Sequence, residues 1–281
     1  MIKKSLAILA LCLALAPLAA AQGAQAAPSP KVEPKPAAPP PQVVEERAEA
    51  VLRRAVEALG GAAYLNIKSI IGRGNYTPYA QGVSQLPISF VDYLIYPDRE
   101  RTDFKGQGVR NVQTNVGPDK GWMFDGMTKV ISDMKAEQFD NFRVTLRTSV
   151  DNLLRGEWRK AGASLTYAGR REAGLAKRNE AVRVTYPDGF VVDFEFGAKD
   201  GLPAKTLYKR KSKTQDDAEA EVAEEDRVVR YLAFGGVQVP FTIDHYRDGV
   251  QSSRVAFDSV EFNPSIPDSL FAKPASPKAI K

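Results

Sequence analysis

Length, charge and cysteine content exclude several classes of protein. The chain has 281 residues, a net charge of +5, one histidine and one cysteine. This charge is too small and too evenly spread to predict nucleic-acid binding. One histidine and one cysteine cannot supply the clustered ligands of a typical zinc site, so we expect neither a metal nor a cofactor.

The N-terminus predicts secretion. Two lysines precede an apolar run over 6–18, and the small residues at 19–21 form a cleavage site. We interpret residues 1–21 as a signal peptide, with 24–26 as a second candidate cleavage site, and expect a periplasmic protein. The only cysteine, Cys12, would be removed with the signal peptide, which leaves no thiol for a disulfide or a nucleophile.

Composition divides the remaining chain into three parts. Residues 22–42 are rich in Pro and Ala, which predicts a disordered spacer. Residues 43–274 have the length of one β-rich domain, and 275–281 read as a disordered tail. Within the domain, a basic run followed by an acidic run over 209–226 predicts a solvated, self-compensating loop.

The first elements of the domain follow from periodicity. Apolar residues recur at helical spacing over 44–59, and Gly60 and Gly61 supply the stop. A strand is predicted from Ile67 to Tyr76, in which Gly72 and Gly74 indicate a bend or bulge. Two paired strands then meet at a Pro97 corner, and further short strands and turns predict an antiparallel meander.

A second helix interrupts the meander over 135–154 and is expected to end at Gly156. Strands resume near Ser164 and continue to about Phe262. The pattern predicts ten or so strands in one curved antiparallel sheet, with the two helices over its concave side. The fold class is therefore mainly β (α+β), with an unclosed half-barrel.

No catalytic constellation is evident. The single histidine, His245, has Asp244 beside it, but adjacent strand residues point to opposite faces. Asp193 and Glu195 share a strand face, yet carboxylate pairs occur by chance in a chain with 34 acidic residues. We therefore predict a protein that is not an enzyme.

Large apolar side chains on the predicted strands leave two interpretations open. They form either a solid core or the lining of a cavity for an acyl chain. For the cavity, we expect the alternating residues of two strands to face one enclosed side: Val91, Tyr93 and Ile95 on one strand, and Phe190, Val192, Phe194 and Phe196 on the other. The aromatic residues Trp122 and Phe124 of a third strand would also line the cavity. Three residues of the second helix, Phe142, Leu146 and Val150, would form a lid.

Six short motifs follow one another along about residues 44–274. They occur at 59–61, 93–99, 117–124, 186–189, 235–241 and 262–271. In their order, the chain resembles the LolA/LolB-like superfamily of outer-membrane lipoprotein-sorting proteins.

The resemblance implies an unclosed β-barrel of about eleven antiparallel strands, with helices over an apolar cavity that shelters acyl chains. In well-studied carriers of the family, a basic residue before the corner proline takes part in cargo release, whereas this chain has Tyr96 there. Arg99 and Arg101, beyond the corner, are then the candidate residues at the cavity mouth.

The resemblance therefore predicts a carrier of lipoproteins or lipids toward the outer membrane. Its partners would be an inner-membrane export complex and an outer-membrane acceptor, and we expect a monomer. The alternative is an RseB-like envelope-stress sensor that binds a membrane-bound regulator. The Pro-rich spacer and the charged segment 209–226 favour this alternative slightly.

Overall fold

The computed structural model describes residues 41–213 and 219–280, without the side chains of residues 212, 213 and 219. The predicted signal peptide, Cys12 and most of the predicted spacer lie outside the described residues. The part described contains five α-helices and fourteen strands. The helices are α1 (Glu46–Leu59), α2 (Ala62–Leu65), α3 (Ala136–Thr148), α4 (Val150–Leu154) and α5 (Glu157–Lys160). The strands are β1 (Ser69–Ala80), β2 (Val83–Ser84), β3 (Ile88–Ile95), β4 (Arg99–Gly106), β5 (Val109–Val116), β6 (Gly121–Asp125), β7 (Val130–Asp133), β8 (Ser164–Glu172), β9 (Arg178–Thr185), β10 (Val191–Gly197), β11 (Pro203–Lys213), β12 (Glu219–Phe234), β13 (Val237–Arg247) and β14 (Val250–Phe262).

The strands form one antiparallel sheet that does not close. Its order is β7-β6-β5-β4-β3-β1-β14-β13-β12-β11-β10-β9-β8, and β2 pairs only with β1. The predicted mainly β class and the unclosed half-barrel are therefore confirmed, with more strands and more helical segments than expected. The bulge predicted near Gly74 is also present, as a register shift against β14.

In the charged segment 209–226, the described residues 209–213 and 219–226 are strands, so the prediction of a loop is wrong for them. These two stretches belong to β11 and β12, which pair in antiparallel register. Lys209 and Glu221 form an ion pair of 2.7 Å between these strands, and Arg210 binds Glu224. Opposite charges can compensate one another in a solvated loop, and they can also stabilise two paired strands. The charge pattern alone therefore does not distinguish a loop from a strand pair.

The second predicted helix is interrupted. Ser149 is extended, with φ −66° and ψ 122°, so it separates α3 from α4. Its hydroxyl accepts a hydrogen bond from the amide of Asn152 and caps the start of α4. A further short helix, α5, follows Gly156, where the sequence predicted only a stop.

The helices lie on one face of the sheet, which we call the inner face. Ala48, Val51, Leu52 and Ala55 of α1 pack with Trp158 of α5 against apolar side chains of β8, β9 and β10. Near its end, α1 packs with α2 against Ile70 of β1 and Val237 of β13. The main core therefore lies between α1 and one end of the sheet.

The opposite, outer face is covered at the other end of the sheet by the C-terminal segment, residues 264–280. The Trp122 indole donates to the carbonyl of Phe271 at 2.8 Å, and Arg101 donates to the carbonyl of Leu270 at 2.6 Å. Ile280 packs against the cluster of Val112, Trp122 and Phe124. Residues 275–281 are predicted to be disordered, but Pro277–Ala279 form a short 3-10 turn and Ile280 makes this contact.

The β8 end of the sheet carries a short extra pairing. The amide of Leu165 donates to the carbonyl of Val43 at 2.8 Å, and the amide of Glu45 donates to the carbonyl of Leu165 at 3.0 Å. The residues just before α1 thus lie alongside β8 in parallel orientation.

Candidate functional site

Packing on the inner face differs between the two ends of the sheet. At β8 to β10, beneath α1, the inner-face side chains are almost fully buried. On β1, β3, β4, β13, β14 and the end of β12, most inner-face side chains keep part of their surface accessible. Six aromatic rings lie in this second region, and we call them the aromatic floor: Tyr76, Phe90, Phe104, Phe234, Phe241 and Phe257.

The rings of the floor contact one another across strands. Phe90 and Phe257 meet edge to face at 5.5 Å between centroids, and Phe234 stacks on Phe241 at 5.5 Å. Gly72 provides the space for Phe257, because a Cβ there would lie 2.8 Å from its ring. The floor is thus a continuous apolar surface on the concave side of the sheet.

Helix α3 lies across this side of the sheet. The Gln138 side chain contacts the Met123 sulfur on β6, and the Asn141 side chain accepts a hydrogen bond from Arg210 on β11 at 3.1 Å. In the sheet order, the strands of the floor lie between β6 and β11. Phe142, which is 5% exposed, lies on the same face of α3 as Gln138, one turn further on. The helix therefore crosses above the floor and contacts a strand on either side of it.

Two carboxyl groups lie next to the floor on the inner face. Asp92 follows Phe90 by two residues on β3, and Glu100 on β4 is opposite Leu94, so both point to the inner face. Burial raises the pKa of Glu100 from 4.5 to about 8, and the charge of Asp92 adds to the shift. Burial also raises the pKa of Asp92 from 3.8 to about 6, although the Thr102 hydroxyl donates to it.

The corner residue Tyr96 belongs to the packed part of the inner face. It contacts the cluster formed by Leu59, Tyr64 and Val237, and Arg155 lies 4.1 Å from the centre of its ring. Burial, followed by the charge of Asp151, raises the pKa of the Tyr96 hydroxyl well above 10. Tyr96 therefore does not occupy a cavity mouth, contrary to the expectation.

The predicted wall on β10 is part of a solid core. Val192 is 0% exposed, and Phe194 and Phe196 are each 1% exposed beneath α1. Phe190 is half-buried and contacts the rings of Tyr186 and Tyr208. These residues are on the inner face as predicted, but at three of the four positions protein side chains fill the space that a ligand would need.

The prediction that Val91, Tyr93 and Ile95 face the same enclosed side is wrong. They lie on the outer face, because Tyr93 is opposite Arg101, which binds the C-terminal segment. Trp122 and Phe124 share that face and pack against the C-terminal segment as well. The five residues therefore do not join the β10 side chains in one cavity.

Arg99 and Arg101 are also outer-face residues. Arg99 binds Asp268 at 2.9 Å, and Arg101 is 3% exposed and binds Asp103 at 2.7 Å. Both arginines hold the C-terminal segment against the sheet, which argues against the predicted role at a mouth. Of the predicted lid residues, Phe142 and Leu146 are on α3, and Val150 of α4 packs against the main core.

The ionisable side chains at positions 193, 195, 244 and 245 each have a local partner. Asp244 binds Arg254 on the outer face at 2.5 Å, and Asp193 and Glu195 bind arginines there. His245 instead contacts Asp226 on the neighbouring strand at 2.5 Å. Burial opposes protonation of His245, but the Asp226 carboxylate raises its pKa above the ordinary value.

A separate cleft of about 600 Å³ lies where α3 begins near the C-terminal segment. Its wall is apolar, but three of its acids are paired: Asp119 with Arg143, Asp133 with Lys273 and Asp268 with Arg99. Because these charges compensate one another, the aromatic floor is the stronger candidate for a ligand. Among residues 41–213 and 219–280, no helix has the length and apolar character needed to cross a membrane.

Comparison with solved structures places this architecture in a known group. A DUF1329-family protein from Desulfovibrio piger matches with a TM-score of 0.56 and 11% identity. A putative outer membrane lipoprotein-sorting protein domain from Vibrio parahaemolyticus and a LolA-superfamily protein from Nitrosomonas europaea each match with a TM-score of 0.53, at 10% and 11% identity. Each match covers 80% of this chain and 97% of the other chain. The chain has a LolA-like fold. No family model matches it, and no curated protein sequence matches it significantly.

Within this LolA-like fold, the sequence interpretation missed most of the site. Alternation along β3 places Phe90 and Asp92 on the face opposite Val91, Tyr93 and Ile95, and the cavity is predicted on the latter face, whereas the aromatic floor lies on the former. The signal that could have corrected this choice is the glycine pair of β1. Gly72 and Gly74 share the face of Phe90, and glycines on one strand face make room for a large ring.

Proposed function

We propose that this protein is a periplasmic, non-enzymatic carrier that binds the acyl chains of a lipid or lipoprotein on the aromatic floor, beneath α3. One observation carries the proposal: four of the six rings of the floor, those of Tyr76, Phe104, Phe234 and Phe257, remain partly accessible inside a curved sheet whose other end is fully packed. Exposed apolar surface costs about 25 cal/mol per Å². An acyl chain on the floor would remove this cost, and a displacement of α3 would admit it.

The wider setting of the proposal rests on the fold and on the N-terminus. Two of the solved structures with this fold are named as a lipoprotein-sorting domain and a LolA-superfamily protein. Together with the predicted signal peptide, they support transport between an inner-membrane donor and an outer-membrane acceptor, by a monomer. The alternative role as a stress sensor is less well supported, because residues 209–213 and 219–226 of the charged segment form paired strands.

Binding of a fluorescent fatty acid to the purified protein tests this function. We expect saturable binding by the wild-type protein and weaker binding by Phe104→Ala, because that ring lies on the floor and is half-buried. Tyr93→Ala is the matched control, since it removes a half-buried ring from the outer face of the adjacent strand. Absence of binding by the wild-type protein, and of lipid in native mass spectra of protein isolated from its own envelope, would refute the carrier function.

A further inference from the structure

The two carboxyl groups beside the aromatic floor have no cationic partner among the residues that the structure describes. No ion pair of the described part of the chain includes Asp92 or Glu100, and no basic side chain contributes to the pKa shift of either. Arg155, on the same side of the sheet, lies over the Tyr96 ring and donates to the carbonyls of Tyr64 and Leu65. Buried carboxylates without counter-charge are costly, so they commonly mark a functional site.

A second observation in the same place indicates that a hydrogen-bond donor is missing. Asn115 of β5 lies directly opposite Glu100 and shares its inner face. It is 2% exposed, and its side-chain oxygen has no hydrogen-bond partner. On its other side, Asn115 is opposite Gly121, and the Met134 side chain fills the space next to that glycine. An unpaired acceptor this deeply buried is costly unless a donor from outside the chain satisfies it.

All three groups accept hydrogen bonds, and the two carboxyl groups can also supply negative charge. Carboxyl groups and an amide oxygen on the same face of three neighbouring strands favour a small group with several N–H donors and a positive charge. Asp92 lies two residues from Phe90 of the floor, which corresponds to about 7 Å along a strand. A ligand bound at the carboxyl groups could therefore extend its apolar chain over the floor.

We infer that Asp92, Glu100 and Asn115 form a binding site for the primary ammonium group of an amphiphile whose alkyl chain lies on the aromatic floor. This inference rests on the proposed carrier function, and it adds the chemical class of the head group. The ammonium would donate to the two carboxyl groups and to the amide oxygen. A quaternary ammonium has no N–H to donate, and a sulfate or carboxylate head group would be repelled.

Four probes with the same twelve-carbon chain distinguish the contributions of charge, hydrogen bonding and apolar contact to the binding affinity. Dodecylammonium, dodecyltrimethylammonium, dodecanol and dodecyl sulfate are titrated into the purified protein at pH 7, each below its micellar concentration. We expect dodecylammonium to bind roughly tenfold tighter than dodecanol, since charged hydrogen bonds contribute about 1.5–3 kcal/mol and 1.4 kcal/mol is tenfold. The trimethylated probe should lie between them, and dodecyl sulfate should bind most weakly.

Two variants locate the site. Asp92→Asn and Glu100→Gln keep the shape of the side chains, and we expect each to reduce the preference for dodecylammonium over dodecanol by at least fivefold, without weakening dodecanol binding. Glu261→Gln is the matched control, because Glu261 is an exposed acid on the outer face of β14. Circular dichroism spectra confirm that each variant is folded.

The outcomes distinguish this inference from the function on which it rests. Equal affinities for dodecylammonium and dodecanol, or an unchanged preference in both variants, would overturn the ammonium site and leave the apolar carrier intact. Tighter binding of dodecyl sulfate would overturn it as well. Failure of all four probes to bind would instead count against the carrier function itself.

Discussion

The two ends of the inner face should respond differently to the loss of one phenylalanine ring. Phe194 is 1% exposed and packs within the core formed by α1, α5 and the strands β8 to β10. Phe194→Ala should therefore lower the free energy of unfolding by about 3–5 kcal/mol, since it removes buried apolar surface and leaves a cavity. For a domain of this size, the melting temperature should fall by roughly 6 to 20 °C.

Phe104→Ala removes the same atoms from the aromatic floor. The ring is half-buried, and its aromatic neighbour is Tyr76 at 6.3 Å. We expect a loss of only about 1–2 kcal/mol, because part of the surface is already in contact with solvent and one ring pair is lost. Binding of the fluorescent fatty acid should weaken at the same time, whereas folded Phe194→Ala protein should still bind it.

Urea denaturation followed by circular dichroism measures both losses, and the m-value shows whether unfolding exposes the same surface in each variant. Two results together would refute this expectation: Phe104→Ala lowers the free energy of unfolding as much as Phe194→Ala, and it binds the fatty acid as tightly as the wild type. That result would mean that the inner face is one solid core from end to end, with no space for a ligand.

Three further predictions concern stability. Because burial and the charge of Asp92 raise the pKa of Glu100 to about 8, Glu100 keeps its proton in the folded protein from about pH 4.5 to 8, where it is ionised in the unfolded chain. This group should therefore lower the stability as the pH rises through the range. Glu100→Gln should reduce the fall by up to about 4 kcal/mol in urea melts, whereas an unchanged slope would contradict the raised pKa. Phe271→Ala should lower the free energy of unfolding by about 3–5 kcal/mol, since this side chain of the C-terminal segment is only 2% exposed, and a change below about 0.5 kcal/mol would show that the segment does not stabilise the sheet. Gly74→Ala should lower the melting temperature, because a Cβ would lie 2.2 Å from the carbonyl oxygen of Ala256, whereas Gly82→Ala, in open space, lacks this clash.

The sequence predicted the architecture well because its signals are local. The helix before Gly60, the corner at Pro97 and the antiparallel order of strands all follow from residues close together in the chain. The helix break at Ser149 was missed, since the residues on both sides keep helical spacing and only the backbone of one residue departs from it.

The choice of face could not be made from local pattern. Alternation shows that β3 has two apolar faces, but it does not say which face the helices cover. The outer face is covered by the C-terminal segment, which lies some 170 residues further along the chain at the bond between Arg101 and Leu270. That segment is rich in Pro, Ala and Lys, and its few apolar contact residues gave no periodic signal.

The residues before α1 have a role that extends beyond the helix they precede. β8 is the last strand in the sheet order, and such a strand offers free backbone groups to any other extended chain. Here the backbone groups of Val43 and Glu45 form hydrogen bonds with the amide and the carbonyl of Leu165. The Glu45 carboxylate also accepts a hydrogen bond from the amide of Tyr167 at 2.8 Å. This stretch therefore covers the first part of the β8 edge, where free backbone groups would otherwise be open to pairing with another copy of the chain.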